Sequence, residues 1–454
     1  MKHFLIFLAC LALALYALML SVPLAPEGAM TLVALALLAF GVQLAMLRVA
    51  RSFSLFGRDL SILFWLGALA LLVRLVVLIG SDDSQALSPE AYRYVWEGKM
   101  VVDGYNPYTV TPFDIGGPGL DHGALHSEVS APHLPATHPP LAEWLFALAY
   151  ILHHDSIHGF RLLSFVFELL TLLAVVVLIV PEIQKRPFQS WSVLIYAFSP
   201  AIILPFLLSS HLDILAAPFF IFSLIFLRRN HAASAGILLA LAALVETFPL
   251  IFAPVMLFHL VGRDRIRFLL GFGSTLLLFH LPFLPGAGLD AVTASFTPVL
   301  TQPINSLAYL AFTALLGDPG DALLLAGILL ALTVAVAAIP LRSRLPQVSR
   351  RIFLVGVVAL LLSPTIYPEH MVWLLPFIVL RRSIPFLVFS GSILLAYYPL
   401  LAALPGHTPI VPWWLTLLIY LPLLWMVTQR SGHLVLGKVV AGANKKGPVI
   451  DRPL

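Results

Sequence analysis

Apolar runs of about twenty residues, separated by short basic clusters, leave this chain very few ways to fold. A run of that length matches the ~30 Å hydrocarbon core of a bilayer only as a helix, because each backbone N–H and C=O must then be bonded within the segment. The composition agrees: 60% of residues are hydrophobic and 11% charged, with a mean hydropathy of +0.98, against roughly 25% charged in soluble domains. The expected fold is an all-α polytopic membrane protein.

The basic clusters also give an orientation. Of 26 Lys and Arg, 21 fall in seven places: Arg48/Arg51/Arg58, Lys185/Arg186, Arg228/Arg229, Arg263/Arg265/Arg267, Arg342/Arg344/Arg350/Arg351, Arg381/Arg382 and the tail Arg430/Lys438/Lys445/Lys446/Arg452. Short basic loops between apolar spans mark the cytoplasmic side. They account for the pI near 9.2 without a nucleic-acid partner. The single cysteine, Cys10, excludes an internal disulfide framework and a cysteine-based zinc site. The N-terminal apolar run to about Val22 is longer than a signal-peptide core, so it reads as an uncleaved first helix.

Counted from these signals, residues 3–22 and 28–47 form a hairpin, and a third span at about 60–80 leads outward. The apolar stretch 139–154 is expected to be short or re-entrant, because a full crossing would put Lys185/Arg186 outside; a true span follows at about 158–181. Further spans are expected at about 190–208, 212–227, 266–284, 321–341, 384–403 and 413–428. Arg229 to Arg263 and Arg351 to Arg381 are too short for two crossings each, so each reads as a broken hairpin, turned near Glu246-Thr247-Phe248-Pro249 and at Ser363 to His370. In total, about 11–14 transmembrane or half-membrane helices are expected. The chain divides into an N-terminal hairpin with its cytoplasmic loop (1–58), a transmembrane domain (59–428) and a cytoplasmic tail (429–454).

Residues 81–137 interrupt this pattern with a polar segment of net charge −6, which leaves the rest of the chain at +10. A loop so far beyond roughly 12–15 residues is usually functional, and its acidity fits the non-cytoplasmic face. Within it, Pro89 to Asp103 predicts an amphipathic helix, with Ser88 as N-cap and Gly104 as terminator. Tyr92, Val95, Trp96 and Lys99 share a face suited to the bilayer interface.

Ionisable groups at membrane depth need a reason: Arg74, Arg161, Glu168, Asp213, Glu246 and the Glu369/His370 pair. Mutual neutralisation is one. Placement suggests another, since Asp82/Asp83, Glu90/Arg93, His138, His211/Asp213, Glu246 and Glu369/His370 all fall near non-cytoplasmic helix ends, where they would line one cavity. Asp82 and Asp83 meet water at the end of the third span, either as a hydrated helix end or as a carboxylate base for a hydroxyl. Arg93 suits a phosphate, or an ion pair with Glu90 or Glu97. His211 and Asp213 alone do not make a metal site.

The string Tyr92-Arg93-Tyr94-Val95-Trp96-Glu97-Gly98-Lys99, followed by Gly104-Tyr105-Asn106-Pro107-Tyr108, resembles the first outer loop of bacterial polyprenyl-phosphate-sugar-dependent glycosyltransferases of the GT-C superfamily, in the mannosyltransferase-like branch. His138-Pro139-Pro140-Leu141-Ala142-Glu143, His211-Leu212-Asp213 and Leu244-Val245-Glu246-Thr247-Phe248-Pro249 resemble later elements of the same proteins. The family places its acidic pair directly before Tyr-Arg-Tyr, whereas here Pro89-Glu90 stands there and Asp82/Asp83 lie earlier. Its lysine is Glu246 here, and its tyrosine before Pro-Pro is His138.

The resemblance implies an inverting transfer of a sugar, a mannose-like hexose, from a polyprenyl phosphate to a lipid or glycan hydroxyl. The reaction would take place on the periplasmic or extracellular side of a bacterial inner membrane. An acid of the first loop would be the base, Asp83 or Glu90, with Asp83 preferred because it follows the membrane helix. The donor would meet Arg93, Tyr92, Trp96, Asn106, Tyr108, His138, His211, Asp213, Glu246 and His370, and no metal or other cofactor is expected. The alternatives are a lipid or solute transporter, suggested by the broken helices, and an inactive scaffold of the same fold.

Overall fold

The computed structural model describes residues 1–52, 55, 61–81, 90–115, 129–296, 304–339, 345–402 and 411–428. Asp82, Asp83, the expected cap Ser88 and the tail 429–454 lie outside the described residues. Runs of Leu, Ala, Val and Phe form helices throughout, in chain order α1 (Lys2–Met19), α2 (Pro26–Ala50), α3 (Ser61–Gly80), α4 (Glu90–Val102), α5 (Pro140–Leu152), α6 (His158–Lys185), α7 (Asp213–Arg228) and α8 (Ala232–Val245). They continue with α9 (Ala253–His259), α10 (Arg263–His280), α11 (Leu307–Leu316), α12 (Pro319–Ala338), α13 (Leu345–Leu362), α14 (Met371–Arg381), α15 (Ile384–Ser392) and α16 (Trp413–Thr428). Among the described residues, seven helices are long and apolar enough to cross a membrane, eight if one bent pair counts as a span. The chain is an all-α polytopic membrane protein.

The helix breaks follow from prolines and short lengths. At 13 residues, α5 reaches about 20 Å, too little for a crossing, while the 28-residue α6 is long enough. The turn after α8 falls at Glu246, whose extended backbone (φ −141°, ψ 134°) ends the helix before the 3₁₀ turn Phe248–Phe252. A second 3₁₀ turn, Pro368–His370, opens α14. The span expected at 190–208 is broken. Pro187–Ala197 and Pro200–Leu208 are bent by 44° at Ser199, where Pro200 has no N–H to continue the ladder. Its last turn, Leu204–Leu208, is a π-helix containing Pro205.

One apolar cluster runs from Leu5 on α1 to Leu423 on α16, so the N-terminal hairpin shares its core with the helices that follow. Inside it, Arg74 on α3 and Glu168 on α6 form a buried two-point ion pair. Arg74 Nη1 donates to Ala70 O (2.8 Å) and Ala197 O (2.9 Å). Here mutual neutralisation accounts for the two charges, and neither residue is among the described lining of the cavities.

The ends of the bundle differ in charge. Arg228 at the foot of α7 reaches Glu182 (3.3 Å) and Leu178 O (3.1 Å) on α6, and Arg351 caps the C-terminal end of α12 through Ala337 O and Ile339 O. Asp213, at the other end of α7, is about 24 Å away along the 16-residue helix. There α4, the turns after α8 and before α14, and the outer segments converge.

Candidate functional site

At that end lies a polar cavity of about 260 Å³ lined by Glu90, Tyr94, Thr137, His138, Pro139, His211, Leu212, Asp213, Glu246, Thr247 and Ser295. Five residues singled out from the sequence, Glu90, His138, His211, Asp213 and Glu246, thus meet around one space. Glu90, the first residue of α4, accepts from Tyr94 Oη at 3.1 Å, and its Oε2 lies 3.8 Å from His211 Nδ1.

His211 is presented by a strained stretch. The π turn is followed by Ser210 at φ 60°, a left-handed conformation uncommon for a residue with a Cβ, and the His211 N–H returns to Pro205 O (3.1 Å). Asp213, two residues on, accepts from Trp373 Nε1 at 2.8 Å. Glu246 turns back so that its Oε1 takes the Thr247 N–H (3.1 Å). Glu369, from the turn before α14, is buried with Oε1 3.7 Å from His211 Nε2.

The proline-rich entry to α5 brings His138 beneath α4. Its Nδ1 lies 2.9 Å from Glu97 Oε2, and its ring meets Tyr94 and Phe146 edge-on at 5.2 and 5.3 Å. Glu97 is fully buried, and its other oxygen accepts from Arg93 Nε at 2.7 Å. This closeness requires Gly98, where a Cβ would stand 2.2 Å from Phe146 O. Glu143, one turn into α5, is also fully buried. One oxygen of each carboxyl and a His138 ring nitrogen lie within 4.8 Å of one another.

Several expected ligands have structural work instead. The guanidinium of Arg93 is enclosed: besides Glu97 it donates to Ser130 O (3.0 Å), Ala131 O (2.9 Å), Leu134 O (2.8 Å) and Pro135 O (2.6 Å). All five of its N–H groups are thereby used on protein, and of the two readings of Arg93 the ion pair with Glu97 is the one formed. Trp96 is buried among Met100, Val129 and Val110, not at an interface, and Tyr92 packs with Ala91, Val95, Tyr150 and Ile157. Asn106 Nδ2 donates to Phe283 O (2.8 Å) and Pro285 O (2.9 Å), tying the two outer segments together, while Tyr108 Oη donates to His138 O (2.6 Å). His370 does not line the cavity; its Nδ1 accepts the Tyr367 N–H at 3.0 Å.

Charge is distributed unevenly. Among the described residues, the lining carries three carboxyls and two histidines but no Lys or Arg. Burial, with Asp213 nearby, pushes the Glu246 carboxyl up to about 7. Burial also raises Glu369, against the pull of His211. Burial alone would lower both histidines, yet their carboxylate partners, Glu97 for His138 and Glu369 with Glu90 for His211, hold them above the ordinary imidazole value. Among the described residues, Glu97, His138 and Glu143 are the one trio close enough for a metal ion. Arg93 already occupies one oxygen of Glu97 and His138 the other, while neither oxygen of Glu143 has a hydrogen-bond partner among the described residues.

Behind the turn that carries Glu246 and Thr247 an apolar groove of about 800 Å³ begins. Leu250, Ile251, Pro254 and Phe258 line one side; α12, from Gly327 to Ile339, lines the other, over about 18 Å.

Residues 85–262 match the MptA_B family, described as alpha-(1->6)-mannopyranosyltransferase, N-terminal domain. The match bears out the mannosyltransferase resemblance and supports a membrane glycosyltransferase. It covers α4 through α9 and every cavity-lining residue except Ser295. No curated protein and no solved structure matches the chain.

Proposed function

Taking the mannosyltransferase match as premise, we propose that the cavity transfers a hexose, mannose first, from a polyprenyl phosphate to a lipid or glycan hydroxyl on the non-cytoplasmic face, with inversion. One observation carries the reading: a carboxylate- and histidine-lined cavity opens within a turn of an 18 Å apolar groove, a pairing suited to a sugar on a lipid carrier. The prenyl tail lies in the groove and the sugar in the cavity. The acceptor oxygen attacks the anomeric carbon, its proton passes to a carboxylate, the bond to the phosphate oxygen breaks, and prenyl phosphate leaves.

The base is an acid of the first outer loop, Asp83 or Glu90. Glu90 lines the cavity with its side chain 53% exposed, which fits a group that meets an entering hydroxyl. The face is argued from charge. The cavity lies at the end of α7 opposite Arg228, and basic clusters mark the cytoplasmic side of an inner membrane. A monophosphate leaving group met by a protonated histidine of the lining needs no metal.

The test is transfer of labelled sugar from a panel of prenyl-phosphate sugars by purified protein, with Asp83→Asn and Glu90→Gln beside wild type. Loss of at least a hundredfold in one variant alone identifies the base. Lipid movement across vesicles without any sugar transfer would establish transport instead, the reading that the broken helices also suit.

A further inference from the structure

With Arg93 enclosed and no Lys or Arg among the described lining residues, the proposed reaction leaves its phosphate without a guanidinium or ammonium partner there. We propose that His138, held by Glu97, is the cationic ligand of the donor's phosphate, and that Glu97 is its positioning residue. The inference rests on the function proposed above and adds the group that meets the leaving phosphate.

The geometry runs in a chain. Arg93 Nε fixes one oxygen of Glu97 at 2.7 Å, which aims the other at His138 Nδ1, 2.9 Å away. Nδ1–H must donate, because a carboxylate only accepts. Nε2, on the opposite side of the ring, is then the nitrogen left for a ligand in the cavity that His138 lines, and the rings of Tyr94 and Phe146 pack edge-on against the imidazole at 5.2 and 5.3 Å. A neutral imidazole held this way would present a lone pair to a phosphate oxygen; only the imidazolium presents an N–H. Binding the anion therefore takes up the charged form, which Glu97 stabilises at the back of the ring.

Among the described residues, the charged and titratable groups around His138 are Glu97, Arg93 and Tyr94 on α4, Tyr108 beyond it, Glu143 on α5, and Glu90, His211, Asp213 and Glu246 around the cavity. Arg93 opposes the imidazolium, while Glu97 and Glu246 favour it. Glu143 crowds Glu97, and two buried carboxyls so close do not both ionise. A proton on Glu143 leaves Glu97 as the anion. Burial lowers the imidazole affinity for a proton, and Glu97 more than restores it, so the charged ring is present at low pH and lost as pH rises through its raised midpoint.

The experiment measures KM and kcat for a prenyl-phosphate mannose donor from pH 5.5 to 9, using the full chain in liposomes. In wild type, KM rises about tenfold per unit above the His138 midpoint while kcat changes less. Glu97→Gln moves that limb to lower pH and raises KM at pH 7 about tenfold. His138→Lys, which leaves the Arg93–Glu97 pair intact, abolishes the limb below pH 9 and keeps donor binding. A limb unmoved by Glu97→Gln, or retained in His138→Lys, overturns the proposal. Wild type that accepts no prenyl-phosphate donor overturns the function proposed above. Even then, the midpoint of His138 read by NMR in ¹⁵N-histidine protein still decides the dyad, since it must fall in Glu97→Gln.

Discussion

An arginine in the outer loop of a membrane protein has five N–H groups to spend, and at position 93 the protein spends all of them on itself. The i,i+4 spacing to Glu97 was legible in the sequence; the four carbonyls between Ser130 and Pro135 were not, since they come from a turn 37 to 42 residues away. Arg93→Lys, with three N–H groups on one nitrogen, is expected to lose about 3 kcal/mol or more, the scale for breaking a buried charged network. Detergent thermal melts should show it, along with new proteolysis at 129–136; a variant with wild-type stability and only a raised donor KM would return Arg93 to the phosphate. Glu246 gives a second prediction. Its folded pKa of about 7 exceeds that of an ordinary carboxyl, so it favours folding at low pH and opposes it as pH rises towards 7. Glu246→Gln should therefore melt a few degrees above wild type at pH 8, and the gain should vanish near pH 4.5.

At the scale of elements, helix ends were readable wherever a proline or an acid set them. The short α5, the turn at Glu246 and the 3₁₀ turn at Pro368 fall where charge parity and length demand. The 44° break at Ser199 was hidden because Pro200 and Pro205 sit in an unbroken apolar run, and hydropathy does not register a missing N–H. The seating of α4 was also hidden. Its Tyr92/Trp96 side suggested the bilayer, but the contact that matters is made through Gly98, which no pattern of apolar residues reveals. Gly98→Ala must lift α4 off Phe146 O, at a cost of about 1–3 kcal/mol for overpacking. Because Glu97 precedes it, the His138 bond should lengthen too. Transfer should fall by more than the loss of folded protein explains; a fall matching that loss would mean that α4 position does not matter to the cavity.

For the whole molecule, five site residues scattered over 157 positions of sequence, from Glu90 to Glu246, could be gathered beforehand because positive-inside counting put each at the same membrane face. What counting could not rank was which would face inward, so Trp96, Asn106, Tyr108 and His370 were grouped with them yet support the walls. The proposed reaction is metal-free, and its check is direct: excess EDTA should leave the rate unchanged. A loss restored by a divalent cation would instead give the Glu97, His138 and Glu143 trio to that ion. The groove carries a consequence of its own. Its wall on α12 stops at Ile339, about 18 Å from Gly327, so it can sense only the part of a lipid nearest the sugar. Under the proposed function the groove would measure the head of the carrier like a short ruler: donors with progressively longer tails should gain affinity until the groove is full, and every isoprene beyond it should count for nothing.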